Sequence, residues 1–222
     1  MRIQMIAAGC LLASGMAAAA PMASFDSDNQ GWSVVDFLTQ HAYLAPTALG
    51  GAQYQAGNGG YVDFVDPSNG SFFFAASSAF LGDLGSYFGG TLSYQQKLTT
   101  PSGFGSWTGD ADVVLISGGQ IYTYQHANRP GSDWTSFAVS LDGNGWRKGT
   151  PFGAAVSGSE FQGALGNVSA LYLNGEHVAG VVETTALDNV ALHAVPEPET
   201  YAMLLAGLGV MAVAVRRRKL KQ

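Results

Sequence analysis

Six stretches of the chain alternate apolar and polar residues with a period of two: "GYVDFVD" (60–66), "GGTLSYQQKL" (89–98), "ADVVLISGGQIYTYQH" (111–126), "DWTSFAVSL" (133–141), "SALYLNG" (169–175) and "LDNVALHAV" (187–195). Successive side chains of a strand point to opposite faces, so this pattern dictates half-buried strands. Within the third stretch, Gly118 and Gly119 separate "DVVLIS" from "QIYTYQ" by the spacing of a tight hairpin, whose turn needs positive φ. "DPSNG" (66–70) and "DGNG" (142–145) mark further turns. A single stretch, "SGSEFQGALGNV" (157–168), has helical spacing, with Phe161, Leu165 and Val168 on one face and Ser157 or Ser159 as cap. Many strands and one short helix predict an all-β, antiparallel β-sandwich.

Composition agrees: 47% of the 222 residues are hydrophobic, 12% are charged and 30 are glycine, a balance of short strands and turns rather than long helices. With an apolar segment set aside at each end, roughly 170 residues remain, which suits one domain. Between residues 21 and 193 four basic side chains (Lys97, Arg129, Arg147, Lys148) face fourteen acidic ones. A phosphate backbone needs a basic stripe to release its counterions, so nucleic acid is excluded as a partner. Neutral glycans, cations and proteins stay open. The one cysteine, Cys10, lies in the N-terminal apolar segment, so the mature domain holds neither disulfides nor thiolate metal sites. "AAGC" is reminiscent of a lipoprotein box, but this Cys leaves too little chain before it for a working signal.

Residues 1–20 have the form of a secretory signal peptide: Arg2, an apolar stretch, then "MAAAA" with small residues for cleavage, placed here after Ala19. The far end, "VPEPETYAMLLAGLGVMAVAVRRRK" (195–219), combines Pro196, Glu197 and Pro198, an apolar run over about 201–215 and the basic residues Arg216, Arg217 and Arg218. The tail segment 195–222 resembles a PEP-CTERM sorting signal. That resemblance implies export across the inner membrane of a Gram-negative bacterium, cutting by an exosortase at or near the motif, and a final place at the cell surface or outside it. As a helix the run covers about 22 Å, short of a hydrocarbon core of roughly 30 Å. The basic tail through 221 keeps its own side cytoplasmic and presents the motif on the outer side, so the run is expected to hold the protein in the membrane transiently.

Between the two signals, "FDSDNQGWSV" (25–34), "SSAFLGDLGSYFGGTLSYQQKL" (77–98), "WTSFAVSLDGNGW" (134–146) and "FQGALGNVSALYLNGEHVAGVVETTALDNVAL" (161–192) follow in order. They resemble the laminin B (laminin type IV) domain over 25–193. The resemblance implies a jelly-roll sandwich similar to galactose-binding and carbohydrate-binding-module folds. In similar jelly rolls the first acidic residue and the Asp of a closing Asp-Asn motif help hold a structural calcium ion. Asp26 and Asp188 occupy those positions, with Asp28 nearby; the competing reading makes Asp188 and Asn189 a simple turn. The same resemblance makes Trp32 and Trp134 core residues.

No catalytic pattern emerges. The histidines (His41, His126, His177, His193) are scattered, and there is no nucleophile elbow or phosphate loop. His126 reads as a solvated residue at a strand end. The acidic pairs Asp110/Asp112 and Asp63/Asp66 sit beside turns and read as solvated rather than as a glycosidase pair. The expectation is therefore a non-enzyme. A sugar presents an apolar C–H face that stacks on aromatic rings, and Trp107, Tyr122 and Tyr124 are the candidate platform, although the parity of the two tyrosines suits core packing too. The predicted role is a surface or matrix protein that binds glycan or forms part of an exopolysaccharide or biofilm matrix. A protein–protein adhesion module without sugar binding is the alternative.

Overall fold

The structure is a computed structural model that describes residues 20–37, 41–57, 59–66, 71–100, 108–195, 207, 208 and 211. The described chain forms strands β1 (Met22–Ala23), β2 (Ser33–Phe37), β3 (Thr47–Gly51), β4 (Gln53–Gln55), β5 (Tyr61–Val65), β6 (Ser71–Ala75) and β7 (Thr91–Thr99). Then come β8 (Val113–Ser117), β9 (Gln120–Tyr124), β10 (Thr135–Ser140), β11 (Arg147–Lys148), the helix α1 (Gly158–Leu165), β12 (Val168–Asn174) and β13 (Thr184–His193). One sheet runs β10-β7-β13-β5-β4, with β1 also on β13; the other runs β11-β9-β8-β12-β6-β2-β3. The two sheets make an antiparallel jelly-roll sandwich.

Local chemistry accounts for the elements. Along β7 burial alternates, with Leu92, Tyr94, Gln96 and Leu98 inward and Thr91, Ser93, Gln95 and Lys97 outward. Gly118 and Gly119, at φ of 56° and 76°, turn β8 into β9 as their spacing predicts. Ser157 caps α1 by accepting from the Glu160 N–H, and the helix seats Phe161, Ala164 and Leu165 in the core. Strands β2 and β6 carry no alternation because both their faces are buried. Val34, Phe72 and Phe74 fill the space between the sheets, while Val35, Phe37 and Phe73 join Tyr43, Val114 and Tyr172 in a second cluster. Such continuous apolar runs have no period to read.

One end of the core is acidic. Asp36, Asp66, Asp110, Asp112, Glu176 and Glu183 are all buried, so the reading of Asp110/Asp112 and Asp66 as solvated turn residues is corrected. Asp110 accepts from Ser71 Oγ at 2.6 Å and from Tyr43 Oη at 3.3 Å, and Asp112 from His126 N at 2.6 Å and Arg129 Nη1 at 3.1 Å. Glu183 takes the His177 and Val178 N–H groups, and burial still raises its pKa to about 7. Glu176 Oε2 has no hydrogen-bond partner among the described residues. Burial first, and then the charges of Asp66, Glu183, Asp110 and Asp36, push Glu176 up to about 9.

His126 is likewise not solvated. It bonds Tyr94 Oη at 2.9 Å and packs on Phe137, and burial followed by the Arg129 charge lowers its pKa to about 4. Burial holds His177 at about 3. Among the described residues no helix is long and apolar enough to cross a membrane, and the apolar run 201–215 lies almost wholly outside them.

A native Glu176 that keeps its proton to about pH 9 binds one proton more than the unfolded chain above its ordinary pKa, so stability falls as pH rises through that interval. The buried histidines act oppositely, since their neutrality in the fold costs stability as pH drops below about 6.5. Glu176→Gln keeps the shape and removes the titration. We expect it to raise the melting temperature at about pH 8 by several degrees and to flatten the loss toward pH 9. Identical melting curves for the two proteins at that pH would refute this account.

Candidate functional site

The outward face of the six-stranded sheet is polar, and the strand register sets its layout. Asp63 pairs with Gln53 and Ala186, and Ala186 with Lys97; Gln95 pairs with Asp188 on one side and Ser136 on the other. The face thus carries Gln53, Gln55, Asp63, Asp188, Gln95, Lys97, Ser93 and Ser136 across five strands. Hydrogen bonds link neighbours along it. Gln55 Nε2 donates to Asp63 Oδ1 at 3.0 Å, and Gln95 Nε2 to Ser136 Oγ at 3.1 Å. Ser93 Oγ shares a 2.8 Å hydrogen bond with His193 Nε2.

Two aromatic rings stand on this face. Thr135 pairs with Gln96, which sets the preceding Trp134 beside Lys97. The Trp134 ring meets Tyr61 edge-on at 5.6 Å, and Lys97 Nζ lies 5.1 Å from both ring centroids, a cation–π arrangement. Trp134 is 37% exposed, which corrects its reading as a core residue. The rings, with Ala56, Gly57, Gly60, Lys97 and Asp188, line a cavity of about 310 Å³. Gly60 has φ of 77°, and a Cβ there would collide with the Phe25 carbonyl oxygen, so the wall of the cavity requires glycine.

A β-bulge shapes the centre of the face. The register of β13 against β7 shifts between Asp188 and Ala191, and Asn189 takes φ of 51°. The extra residue turns Asn189 outward beside Asp188, where strict alternation would have sent it into the core. Asn189 Nδ2 donates to Gln95 Oε1 at 2.9 Å and to Asp188 Oδ2 at 3.0 Å. A second hollow of about 210 Å³ lies here, lined by Ser93, Tyr94, Gln95, Ser136, Phe137 and Asn189.

The structure brings Asp26 and Asp188 into electrostatic reach. Burial, opposed by the Asn189 N–H, and then the charge of Asp26 raise the pKa of Asp188. Ser24 Oγ donates to Asp26 Oδ2 at 2.6 Å, and Tyr54 Oη to the Asp26 carbonyl at 3.1 Å. Among the described residues no three His, Cys, Asp or Glu side chains form a metal-holding group. A cation here would rely on two carboxylates and main-chain carbonyl oxygens.

The other candidates fall elsewhere. Tyr122 is 5% exposed, points into the core from the opposite sheet and meets Phe161 edge-on at 6.1 Å, so its ring offers no free face and it leaves the platform. Tyr124 is half-buried against His126 at 5.1 Å and Trp146 at 5.7 Å. Trp107, the sorting motif Pro196, Glu197 and Pro198, and the basic Arg216, Arg217 and Arg218 lie outside the described residues. Ser71, Asp110 and His41 do come together, but the serine donates to the carboxylate while His41 Nε2 lies 3.0 Å from the Gly109 carbonyl.

Residues 73–203 match the family profile Laminin B (Domain IV), and residues 194–219 match the PEP-CTERM protein-sorting motif. No curated protein matches the chain. Among solved structures, the L4b domain of human laminin alpha-2 superposes with a TM-score of 0.57 at 13% identity, covering 74% of this chain and 91% of that one. The family 11 carbohydrate-binding module of the cellulosomal cellulase Lic26A-Cel5E of Clostridium thermocellum superposes with a TM-score of 0.51 at 14% identity, covering 82% and 98%. At these identities the likeness is one of fold.

Proposed function

This chain belongs to the laminin B (Domain IV) family, and on that premise we propose that it is a non-catalytic module binding neutral polysaccharide in the cavity beside Tyr61 and Trp134. Its PEP-CTERM motif marks a secreted, surface-directed protein processed by exosortase. The proposal extends this to export across a Gram-negative inner membrane, a transient membrane-held stage and a final role in an exopolysaccharide or biofilm matrix.

The observation that carries the sugar reading is the cavity of about 310 Å³ lined by the exposed Trp134 indole, Tyr61, Lys97 and Asp188, on a sheet face that also carries amide and hydroxyl side chains. Aromatic rings take up the C–H face of a pyranose, and planar polar groups exchange hydrogen bonds with its hydroxyls. The excess of acidic over basic residues disfavours polyanions. A structure named a carbohydrate-binding module shares the fold, which is compatible with this use but does not assign it. Trp134→Ala is expected to weaken binding to the native exopolysaccharide at least about tenfold, by loss of stacking, with an unchanged melting temperature. A glycan array on which the wild-type protein binds nothing would favour the adhesion reading instead.

Calcium between Asp26 and Asp188 is part of the same proposal. The mutual charge of the two carboxylates supports it, and Ca²⁺ suits oxygen ligands in flexible geometry at about 0.1–1 mM affinity. Bound there, the ion would neutralise the pair and tie the N-terminal segment to the closing strand. Millimolar Ca²⁺ should raise the melting temperature of the wild type and not of Asp188→Asn; equal shifts in both would remove the site.

Processing is tested by the intact mass of the mature protein from cells with and without the exosortase. Loss of the basic tail only in the presence of the enzyme is expected. A tail retained in both is incompatible with cutting at Pro196 to Pro198.

A further inference from the structure

We infer that the hollow formed by Ser93, Gln95, Ser136 and Asn189 is a second sugar subsite, so that the module grips several consecutive units of a linear, neutral glycan rather than a single one. This rests on the reading of the Tyr61–Trp134 cavity as a sugar site. The two hollows adjoin on one face. Lys97 and Asp188 line the first, Gln95 and Asn189 the second, and each pair is made of near neighbours on β7 and β13. From Lys97 to Ser93 the strand covers about 14 Å, a length that one pyranose does not fill.

The chemistry of the two hollows differs in a way that suits one chain lying across both. The first offers ring faces, a cation and a carboxylate; the second offers two carboxamides and two hydroxyl groups. Asn189 and Gln95 already order each other at 2.9 Å, and Gln95 orders Ser136 at 3.1 Å. These groups are therefore held in place before a ligand arrives, which lowers the ordering cost of binding. The bulge at Asp188–Asn189 is what makes the second hollow polar, because it brings two consecutive side chains of β13 to the same face. A non-glycine residue at positive φ is costly unless its surroundings enforce it, and such positions cluster at ligand sites.

The test uses β-1,4-linked glucose oligomers from disaccharide to hexasaccharide, titrated calorimetrically against the full domain. Affinity of the wild type is expected to rise at least about tenfold from disaccharide to tetrasaccharide, as two or more additional hydrogen bonds form. Asn189→Gly, which suits the positive φ, and Gln95→Ala should each bring the tetrasaccharide-to-disaccharide ratio toward one, with melting curves confirming the fold. Measurable binding of the disaccharide with a flat length series in the wild type overturns the second subsite and leaves the first standing. No binding at any length overturns the sugar reading of the whole face for this glycan class. Stronger binding of polygalacturonate oligomers than of the neutral series overturns the neutral assignment.

Discussion

The six-stranded sheet is organised by its last strand. β13 hydrogen-bonds to β7 along one edge and to β5 and then β1 along the other, so only β10 and β4 reach that sheet without touching it. Until residues 184–193 insert, the ladder edges of β7 and β5 stay unpaired, and unpaired strand edges are the main hazard of β proteins. The pairings are distant in sequence: Thr184 meets Val65 and Thr99, and Ala191 meets Met22. Such non-local closure makes folding slow relative to helical domains. The strand that completes the fold also carries the bulge that shapes the proposed binding face. Closing the sheet and building the site are thus one event.

The acidic end of the core shows a different economy. Carboxylates are rarely buried unless paired, yet among the described residues six are buried while basic side chains are few. It manages them by different means. Arg129 meets Asp112, main-chain N–H groups meet Glu183, and Glu176 keeps its proton at neutral pH. The sheet face uses its charges otherwise, with Lys97 held over two rings rather than against a carboxylate. A domain with so little positive charge places one of its cations in the lining of the Tyr61–Trp134 cavity.

Much of the fold was legible because half-buried strands leave a period of two. β7 and β10 follow it closely, the Gly118–Gly119 turn falls where two glycines demand it, and Ser157 caps α1. β2 and β6 left no such trace, since a strand buried on both sides puts apolar residues at consecutive positions, as in Val34–Val35 and Phe72–Phe73–Phe74. The site was legible only in part. Asp26 and Asp188 were marked by their positions in the first and last motifs, whereas Tyr61 and Trp134 were passed over. Trp134 shares the parity of Ser136, which faces outward in β10, but the family resemblance assigned it to the core. Tyr122 shows the opposite error: its parity was right for either face, and the packing of α1 through Phe161 put it inside.

What the sequence alone determined is the class of fold and the destination: the alternation, the turns and the closing sorting signal are local, and each can be read within a dozen or so neighbouring residues. What only the tertiary structure decided is which side chains share a face of which sheet. Tyr61, Lys97, Trp134 and Asp188 are far apart in the chain and meet because β5, β13 and β7 lie side by side and Trp134 falls next to Lys97. The outward turn of Asn189 depends on a bulge that exists only once β13 is paired. Register is a property of two strands together, and no single stretch of sequence contains it.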